Sequence, residues 1–369
     1  MNTQMFGMPF AGADICGFIG DTTEELCRRW IQLGIFYPFV RNHNDKDAID
    51  QEPYRWPDVQ KTFKEALEVR YSLIRYIYSL HNNMMIEERE EEGRAFFKPL
   101  FYEYPTDKKV YEDIDGTFLV GDIKVSPIMN KGQSKRKSYF PNENWYPLFT
   151  GGDETKPVVI KEFRHGAEEG KYLDLEAPLT SAGSGTVDRF PIHIRAGAIL
   201  TYQNAHGIMN TAELVELPVH IRVYPNLEKN QAYGVLFYDD GISVDSYTDN
   251  KFTKIDMNYD TGKLRFNKYH ENSYKYDKND GIAESIAVYG FQIPSGASSF
   301  IACAKKDDAT IVMLNINVDQ AKKLATVTAT GSQIVLSDLS EIIISTNPKD
   351  CQQPTTEVEL DQDLQLAEA

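Results

Sequence analysis

The spacing of apolar and polar residues divides the chain into a first part with helical periodicity and a longer part with β periodicity. Between Pro57 and about Met85, apolar residues recur at helical intervals, which predicts one long helix with the proline at its first position. The recurring apolar positions are Val59, Phe63, Ala66, Leu67, Leu73, Ile74 and Ile77. After Gly93 the apolar runs become short and are separated by turn residues. The pattern therefore predicts an α/β segment followed by an all-β segment.

A shorter pattern, from Ala11 to Asn44, predicts strand, helix and strand in that order. Two short apolar runs each end in a cluster of small or polar residues, and the segment between them has helical periodicity. Asp21 or Thr22 can cap the start of this helix, and Gly34 is placed to end it. A (β/α)8 barrel presents its active site on side chains at the carboxyl ends of its strands. We therefore expect candidate functional residues at both strand ends.

Composition narrows the classes of partner. The 369 residues allow two or three domains, and the net charge of −16 argues against nucleic acid or an anionic membrane as a partner. No apolar run approaches the roughly 20 residues that a transmembrane helix needs. The seven histidines and four cysteines show no metal-ligand spacing. There is also no glycine-rich phosphate loop, so we predict neither a metal nor a cofactor.

Two longer motifs carry a resemblance to a known family. The string GADICGF occupies positions 12–18, and RWIQLGIFYPFVRNHN occupies positions 29–44. Both resemble glycoside hydrolase family 31, the α-glucosidases of the maltase and lysosomal acid glucosidase type. The similarity is densest up to His43 and thins out beyond Leu200, towards about Thr346.

The resemblance implies a fold and a division into domains. It implies a C-terminal fragment of a (β/α)8 TIM barrel followed by two β-sandwich domains. The last two βα units would take residues 1–95, a proximal sandwich 96–203 and a distal sandwich 204–345, and 346–369 reads as an acidic, disordered tail. In such enzymes the nucleophilic and the acid/base aspartates lie on earlier barrel strands, upstream of this sequence. We therefore expect no catalytic residue in this chain and no activity from it alone.

Four residues near the predicted strand ends are candidates for a sugar pocket. In the family frame His43 hydrogen-bonds a hydroxyl of the bound sugar, whereas outside that frame it would be a structural histidine that ties down a loop. Phe18 matches an aromatic that lines the substrate cleft, although a single phenylalanine is usually part of the core. Asp14 is expected to pair with Arg41 and to shape the pocket from behind, and a purely structural salt bridge is the alternative.

The cysteines carry an expectation about the compartment. The resemblance implies a disulfide between Cys16 and Cys27, with two buried free thiols as the alternative, and hence an oxidising environment. We therefore expect the secretory pathway, lysosomal or extracellular, although this sequence has no signal peptide and no Asn-x-Ser/Thr glycosylation site. Cys303 and Cys351 have no counterpart in the resemblance, and we expect both to be unpaired.

The resemblance also implies an activity. The expected enzyme is a retaining exo-α-glucosidase that releases glucose from α-linked oligosaccharides through a covalent glycosyl-enzyme. The alternative is a non-catalytic carbohydrate-binding or interaction protein built from the β-sandwich domains. Adjacent Asp239 and Asp240 are tempting as a catalytic pair, but neighbouring residues on a turn point apart, so we assign them to turn formation.

Overall fold

A computed structural model of the chain describes residues 1–85, 95–112, 114, 116–148, 170–188, 191–269, 281–331 and 333–353. Its helices are α1 (Asn2–Met5), α2 (Glu24–Gly34), α3 (Pro57–Met85) and α4 (Thr211–Val215). The observed α3 has the predicted bounds, and its apolar face is buried at Val59, Phe63 and Leu73. The long helix is therefore confirmed.

The helix α2 begins later than predicted. Its N-cap is Thr23, whose Oγ1 accepts a hydrogen bond from the backbone N–H of Leu26 at 3.2 Å. Neither Asp21 nor Thr22 caps the helix; the Asp21 carboxylate accepts instead from the backbone of Ile49 at 2.9 Å. Threonine supplies the same capping oxygen as the predicted residues, so the prediction missed the position of the cap and not its chemistry.

The two strands predicted on either side of α2 are reduced to a single parallel bridge between Ile15 and Asn42. The backbone N–H of Ile15 donates to the carbonyl of Arg41 at 2.9 Å. A barrel strand is normally held by a neighbour on each side. Within the described ranges these two segments pair only with each other, through this one bridge. Neither segment forms the strand that the pattern predicted.

Gly34 has a different role from the predicted one. It is the last residue inside α2, and the helix is followed by Ile35 in a right-handed helical conformation. A Cβ added at Gly34 would lie 2.6 Å from Cδ1 of Ile15. The glycine therefore allows α2 to approach the buried Ile15 closely, and it does not end the helix.

The remainder of the described chain is mostly β structure, as predicted. The strands are β1 (Phe97–Pro99), β2 (Phe118–Val120), β3 (Ile123–Val125), β4 (Lys135–Phe140), β5 (Trp145–Leu148), β6 (Lys171–Glu176), β7 (Ile192–Arg195), β8 (Ala198–Tyr202), β9 (Val219–Tyr224), β10 (Gln231–Asp239), β11 (Phe252–Asp260), β12 (Lys263–Tyr269), β13 (Ile282–Tyr289), β14 (Ile301–Lys306), β15 (Ile311–Asp319), β16 (Leu324–Thr328), β17 (Ile334–Val335) and β18 (Leu339–Ser345). One sheet has five strands in the order β1-β2-β3-β7-β5, and β4 pairs with β6 in a separate ribbon.

The largest sheet closes on itself. Its eleven strands run in the order β16-β15-β14-β18-β12-β11-β10-β8-β9-β13-β17, and β16 also pairs with β13. Ten strands thus form a hydrogen-bonded ring, and β17 is attached to it at β13. The ring includes β8, from the segment assigned to the proximal domain, which pairs with β9 and with β10. Because the ring is continuous, the division into two sandwiches remains a prediction.

The expectation that Cys303 and Cys351 are unpaired is wrong. They form a disulfide with a Cα–Cα distance of 5.9 Å. Cys303 lies on β14 opposite Ile343 of β18, and the turn after β18 brings Cys351 back over this pair. The same turn, Pro348–Cys351, lies within the stretch predicted to be a disordered tail, so the ordered chain extends beyond the predicted boundary.

Buried polar groups join the helical layer to the β region. The guanidinium of Arg28 on α2 donates to Thr62 on α3 at 2.9 Å and to the carbonyl of Thr180 at 2.5 Å. Asp188 is almost fully buried and accepts hydrogen bonds from Thr62 at 2.6 Å and from the backbone of Thr180 at 2.7 Å. Burial alone would raise the pKa of Asp188, but these hydrogen bonds, helped by Lys61, hold that pKa below its usual range.

Replacing this buried carboxylate should loosen the junction. We expect Asp188→Asn to lower the free energy of unfolding by about 3 kcal/mol, because the change leaves the charge of Arg28 without its nearest buried partner. Urea unfolding followed by circular dichroism measures the effect. The control is Asp249→Asn, which changes an exposed pair with Lys251 and should leave the curve in place. Equal stabilities of the two variants would contradict a structural role for Asp188.

His193 makes the β core sensitive to pH. It lies on β7, fully buried, with its ring 4.8 Å from the ring of Phe140. Burial, together with the neighbouring Lys124, lowers the pKa of His193 to about 3. The folded protein therefore keeps this imidazole neutral, whereas the unfolded chain protonates it near pH 6.5. Since the unfolded state then binds more protons, stability is full above pH 6.5 and is lost as the pH falls towards 3.

We expect this histidine to cost the wild-type chain about 2 kcal/mol of stability between pH 7 and pH 5. His193→Phe should remove that loss, since phenylalanine fills the same space and takes up no proton. The Glu103 carboxylate does not interfere with this comparison. Against the effect of burial, Arg195 and Lys98 lower its pKa to about 2, so its contribution to stability is lost only at a pH below the two compared here. Urea midpoints at the two pH values provide the measurement. His206→Phe is the control, because the side chain of His206 is 80% exposed. An unchanged pH slope in His193→Phe would refute the assignment.

Candidate functional site

The candidate residues Asp14 and Phe18 lie at the two ends of a turn with a strained backbone. The backbone N–H of Gly17 donates to the carbonyl of Asp14 at 3.1 Å, and both Cys16 (φ 75°) and Gly17 (φ 95°) have left-handed conformations. That region is unfavourable for a cysteine. A disulfide to Cys27, on α2, holds this turn with a Cα–Cα distance of 4.4 Å. The predicted proximity of the two cysteines is confirmed, and the bridge fixes where the chain leaves the turn at Phe18.

Asp14 and Arg41 form the predicted ion pair beside the single parallel bridge. Nε of Arg41 donates to Oδ1 of Asp14 at 3.0 Å, and Nη2 donates to the same oxygen. The guanidinium also lies over the ring of Phe39, 5.3 Å from its centroid. The Arg41 side chain is 48% exposed and that of Asp14 is 22% exposed. A pair this open contributes little to stability, so its main effect is to orient the two segments.

Phe18 and His43 lie against each other. Their ring centroids are 5.3 Å apart with an angle of 41° between the planes. The backbone N–H of Asp45 donates to the carbonyl of Phe18 at 2.9 Å, which ties the turn to the loop after His43. Both side chains are exposed, and Phe18 is 41% exposed. The pair therefore offers solvent an apolar ring face next to an imidazole that can donate or accept a hydrogen bond.

Three amide side chains brace this site, and the sequence pattern predicted no role for them. Asn42 donates to the backbone carbonyl of Gln51 at 2.9 Å, and the Gln51 amide donates to Oδ1 of Asn42 at 2.8 Å. Gln51 is 4% exposed and also reaches the carbonyl of Ile15 at 3.2 Å. Asn44 donates to the carbonyl of Ile49 at 2.8 Å. The signal was the pair of asparagines that flank His43, since such side chains often lock loops through backbone hydrogen bonds.

Asp239 and Asp240 lie apart from this site and do form a turn after β10. Asp239 accepts from the hydroxyl of Tyr78 at 2.6 Å, and burial together with this contact raises the pKa of that tyrosine. Asp240 accepts from the backbone N–H groups of Ile242 at 3.0 Å and Ser243 at 2.7 Å, which lowers the pKa of its carboxyl. The loop backbone therefore donates to both carboxylates, as the assignment to turn formation requires, and Asp239 is held by Tyr78 of α3 as well.

In the described part of the chain, histidine, cysteine and carboxylate side chains nowhere gather in a group of three or more that could hold a metal ion. None of the helices in the described ranges is long and apolar enough to cross a membrane.

Comparison with known proteins agrees with the site motifs. Residues 1–80 match the profile described as "Glycosyl hydrolases family 31 TIM-barrel domain", and residues 93–200 match "Glycosyl hydrolase family 31 C-terminal domain". The Aspergillus flavus protein named "Probable alpha/beta-glucosidase agdC" is 33% identical over 320 residues, which are 86% of this chain. Mouse "Lysosomal alpha-glucosidase" is 36% identical over 249 residues, 65% of this chain. The chain spans 32% of the length of the fungal relative and 24% of the mouse one.

A solved structure shares the fold. The glucosidase II alpha subunit, in a form with α3-Glc2 bound, superposes with a TM-score of 0.76 at 24% identity. The match covers 93% of this chain and 35% of that one. The two matched profiles, the 33% identity to the fungal relative over 86% of this chain and the GADICGF and RNHN motifs lead to one assignment. The chain belongs to glycoside hydrolase family 31.

Proposed function

We propose that this chain contributes one wall of the sugar pocket of a retaining exo-α-glucosidase. In this proposal His43 hydrogen-bonds a hydroxyl of the terminal glucose, and Phe18 packs against the C–H face of the same sugar. Asp14 and Arg41 hold the two segments behind them. The nucleophile and the proton donor are carboxylates of other barrel strands, as the family mechanism requires a pair about 5 to 5.5 Å apart.

The contact between Phe18 and His43 is the observation that supports this proposal. The two rings lie 5.3 Å apart, and both side chains are exposed, so a ligand could cover both. A sugar needs this combination, because its hydroxyls hydrogen-bond while its C–H face packs on an apolar ring. The hydrogen bonds between Asn42 and Gln51 hold the backbone next to His43, which supports a site that must position a substrate.

We infer that the substrates are α-linked oligosaccharides of glucose and that the protein works in the secretory pathway. The names of the fungal and mouse relatives support the substrate class. The disulfides Cys16–Cys27 and Cys303–Cys351 support an oxidising compartment. The mouse relative is named as lysosomal, which is one such destination.

A chimaera tests this proposal. The segment of the mouse lysosomal relative that precedes its matched region is joined to residue 1 of this chain, and glucose release from maltose is measured. We expect turnover, because the borrowed segment supplies the carboxylate pair while this chain supplies the sugar-binding wall. The matched control carries asparagine in place of the borrowed nucleophilic aspartate and should be inactive. A folded chimaera without turnover would contradict the proposal, and would favour the non-catalytic binding protein instead.

A further inference from the structure

A small cavity far along the chain from the site above lies between α3, α4 and the turn after β10. Its volume is about 140 Å³, which corresponds to about five water molecules. Arg75 and Tyr78 line it from α3, Val215 lines it from α4, and Asp239 and Asp240 line it from the turn. The described site at Phe18 and His43 shares no residue with this cavity.

Arg75 is the unusual member of this lining. It is 7% exposed, and its guanidinium lies over the ring of Tyr238, 4.6 Å from the centroid. Its Nε is buried without a hydrogen bond, and no carboxylate in the described part of the chain forms an ion pair with it. A buried N–H donor without an acceptor is costly, whereas a ligand that supplies an acceptor to Nε removes that cost on binding.

The other polar groups limit what the ligand can be. The carboxylates of Asp239 and Asp240 are acceptors and would repel a small anion placed beside Arg75. Asp239 Oδ1 accepts the backbone N–H of Gly241 at 3.0 Å, and an ionised carboxylate oxygen has room for a further donor. A hydroxyl group of a ligand can bond to both kinds of residue, since it accepts a hydrogen bond from the Arg75 guanidinium and donates one to an aspartate carboxylate. Val215 adds an apolar surface at the mouth, where it is 41% exposed.

We propose that this cavity is a second sugar-binding site, separate from the pocket at Phe18 and His43, and that it binds one edge of a pyranose ring. Arg75 donates to one ring hydroxyl, the turn carboxylates accept from neighbouring hydroxyls, and Val215 contacts the C–H face. The mouth is held in shape by Gln203, whose side-chain amide donates to the carbonyls of Leu214 at 2.9 Å and Leu217 at 2.8 Å. This inference is independent of the catalytic role proposed above, because it needs no residue of the first site.

The experiment uses the whole chain and methyl α-D-glucopyranoside as the probe, with saturation-transfer NMR titrations to measure affinity. We expect Arg75→Met to weaken binding by about tenfold or more, because methionine keeps much of the apolar stem and removes the charged donor. Asp240→Asn should weaken binding as well. Arg265→Met is the matched control, since Arg265 lies on β12, half-exposed and paired with Glu341. The control should bind like the wild type.

A further variant covers the case in which Arg75→Met does not fold. Val215→Trp adds bulk at an exposed position of the mouth and should block the sugar without touching the guanidinium. Affinities within twofold of wild type in both Val215→Trp and Asp240→Asn would overturn the proposal. Displacement of the sugar by acetate at equal concentration would also overturn it, because that outcome identifies an anion site. Loss of binding in Val215→Trp together with indifference to acetate supports it.

Discussion

The chain by itself is expected to release no glucose from maltose or from a nitrophenyl α-glucoside. The retaining mechanism needs one carboxylate as nucleophile and a second as acid and base, on facing sides of the bond that breaks. Asp14, at the described site, is bound to Arg41, and we assign this carboxylate to orienting the two segments and not to catalysis. A chain that holds neither a nucleophile nor a proton donor has no route through a covalent intermediate, so we expect no detectable glucose release.

Coupled glucose detection over a long incubation measures this, with the purified chain at high concentration. The chimaera with the mouse segment serves as the positive control for assay sensitivity. A preparation of Phe18→Ala, purified in parallel, reveals contaminating host glucosidase, since contamination does not depend on the variant. Turnover by the wild-type chain that disappears in Phe18→Ala would mean that this chain holds a catalytic pair after all.

The second large effect is expected at His43. In the active chimaera His43→Ala should lower kcat/KM by about 30-fold to 1,000-fold, or about 2 to 4 kcal/mol of transition-state binding. The reason is that hydrogen bonds to sugar hydroxyls strengthen as the oxocarbenium-like transition state develops. An alanine there leaves Phe18 and the Asp14–Arg41 pair in place, so the wall keeps its shape.

The form of the loss distinguishes a binding role from a structural one. A contact that strengthens only in the transition state lowers kcat, whereas a collapsed loop raises KM and lowers the melting temperature. Steady-state kinetics on maltose, with thermal melts of each variant, separate the two cases. His206→Ala is the matched control at an exposed histidine far along the chain and should be silent. Unchanged kcat/KM in His43→Ala would remove His43 from the pocket.

The features that the sequence predicted correctly are those with local or motif-level signals. The periodicity of the long helix gave both ends of α3, Pro57 and Met85, because one unbroken pattern spans it. The proximity of Cys16 and Cys27 was implied by the resemblance to family 31, and the structure joins the two cysteines in a disulfide. Phe18 and His43 were picked from motifs too, and the structure brings their rings together.

What the sequence did not predict depends on contacts between distant positions. Cys303 and Cys351 are 48 residues apart, and they meet only because β14 and β18 are neighbours in the ring. The buried contact between Arg28 and Asp188 spans 160 residues and has no periodic signature. The closure of the ring through β13 and β16 is a pairing of strands that local alternation cannot specify.

The closed ring has a consequence for self-association. A strand can be added to a sheet only where backbone N–H and C=O groups lie unpaired at an edge, and a ring has no such edge. The five-stranded sheet does have two outer strands, β1 and β5, and each contains a proline, Pro99 and Pro147 respectively. Proline lacks the N–H that a newly added strand would need. Open strand edges remain at the separate ribbon of β4 and β6 and at β17, and the two segments joined by the bridge between Ile15 and Asn42 form no other β pairing in the described part of the chain. Intermolecular β pairing of copies of this chain should therefore begin at these places and not within the closed ring or at β1 and β5.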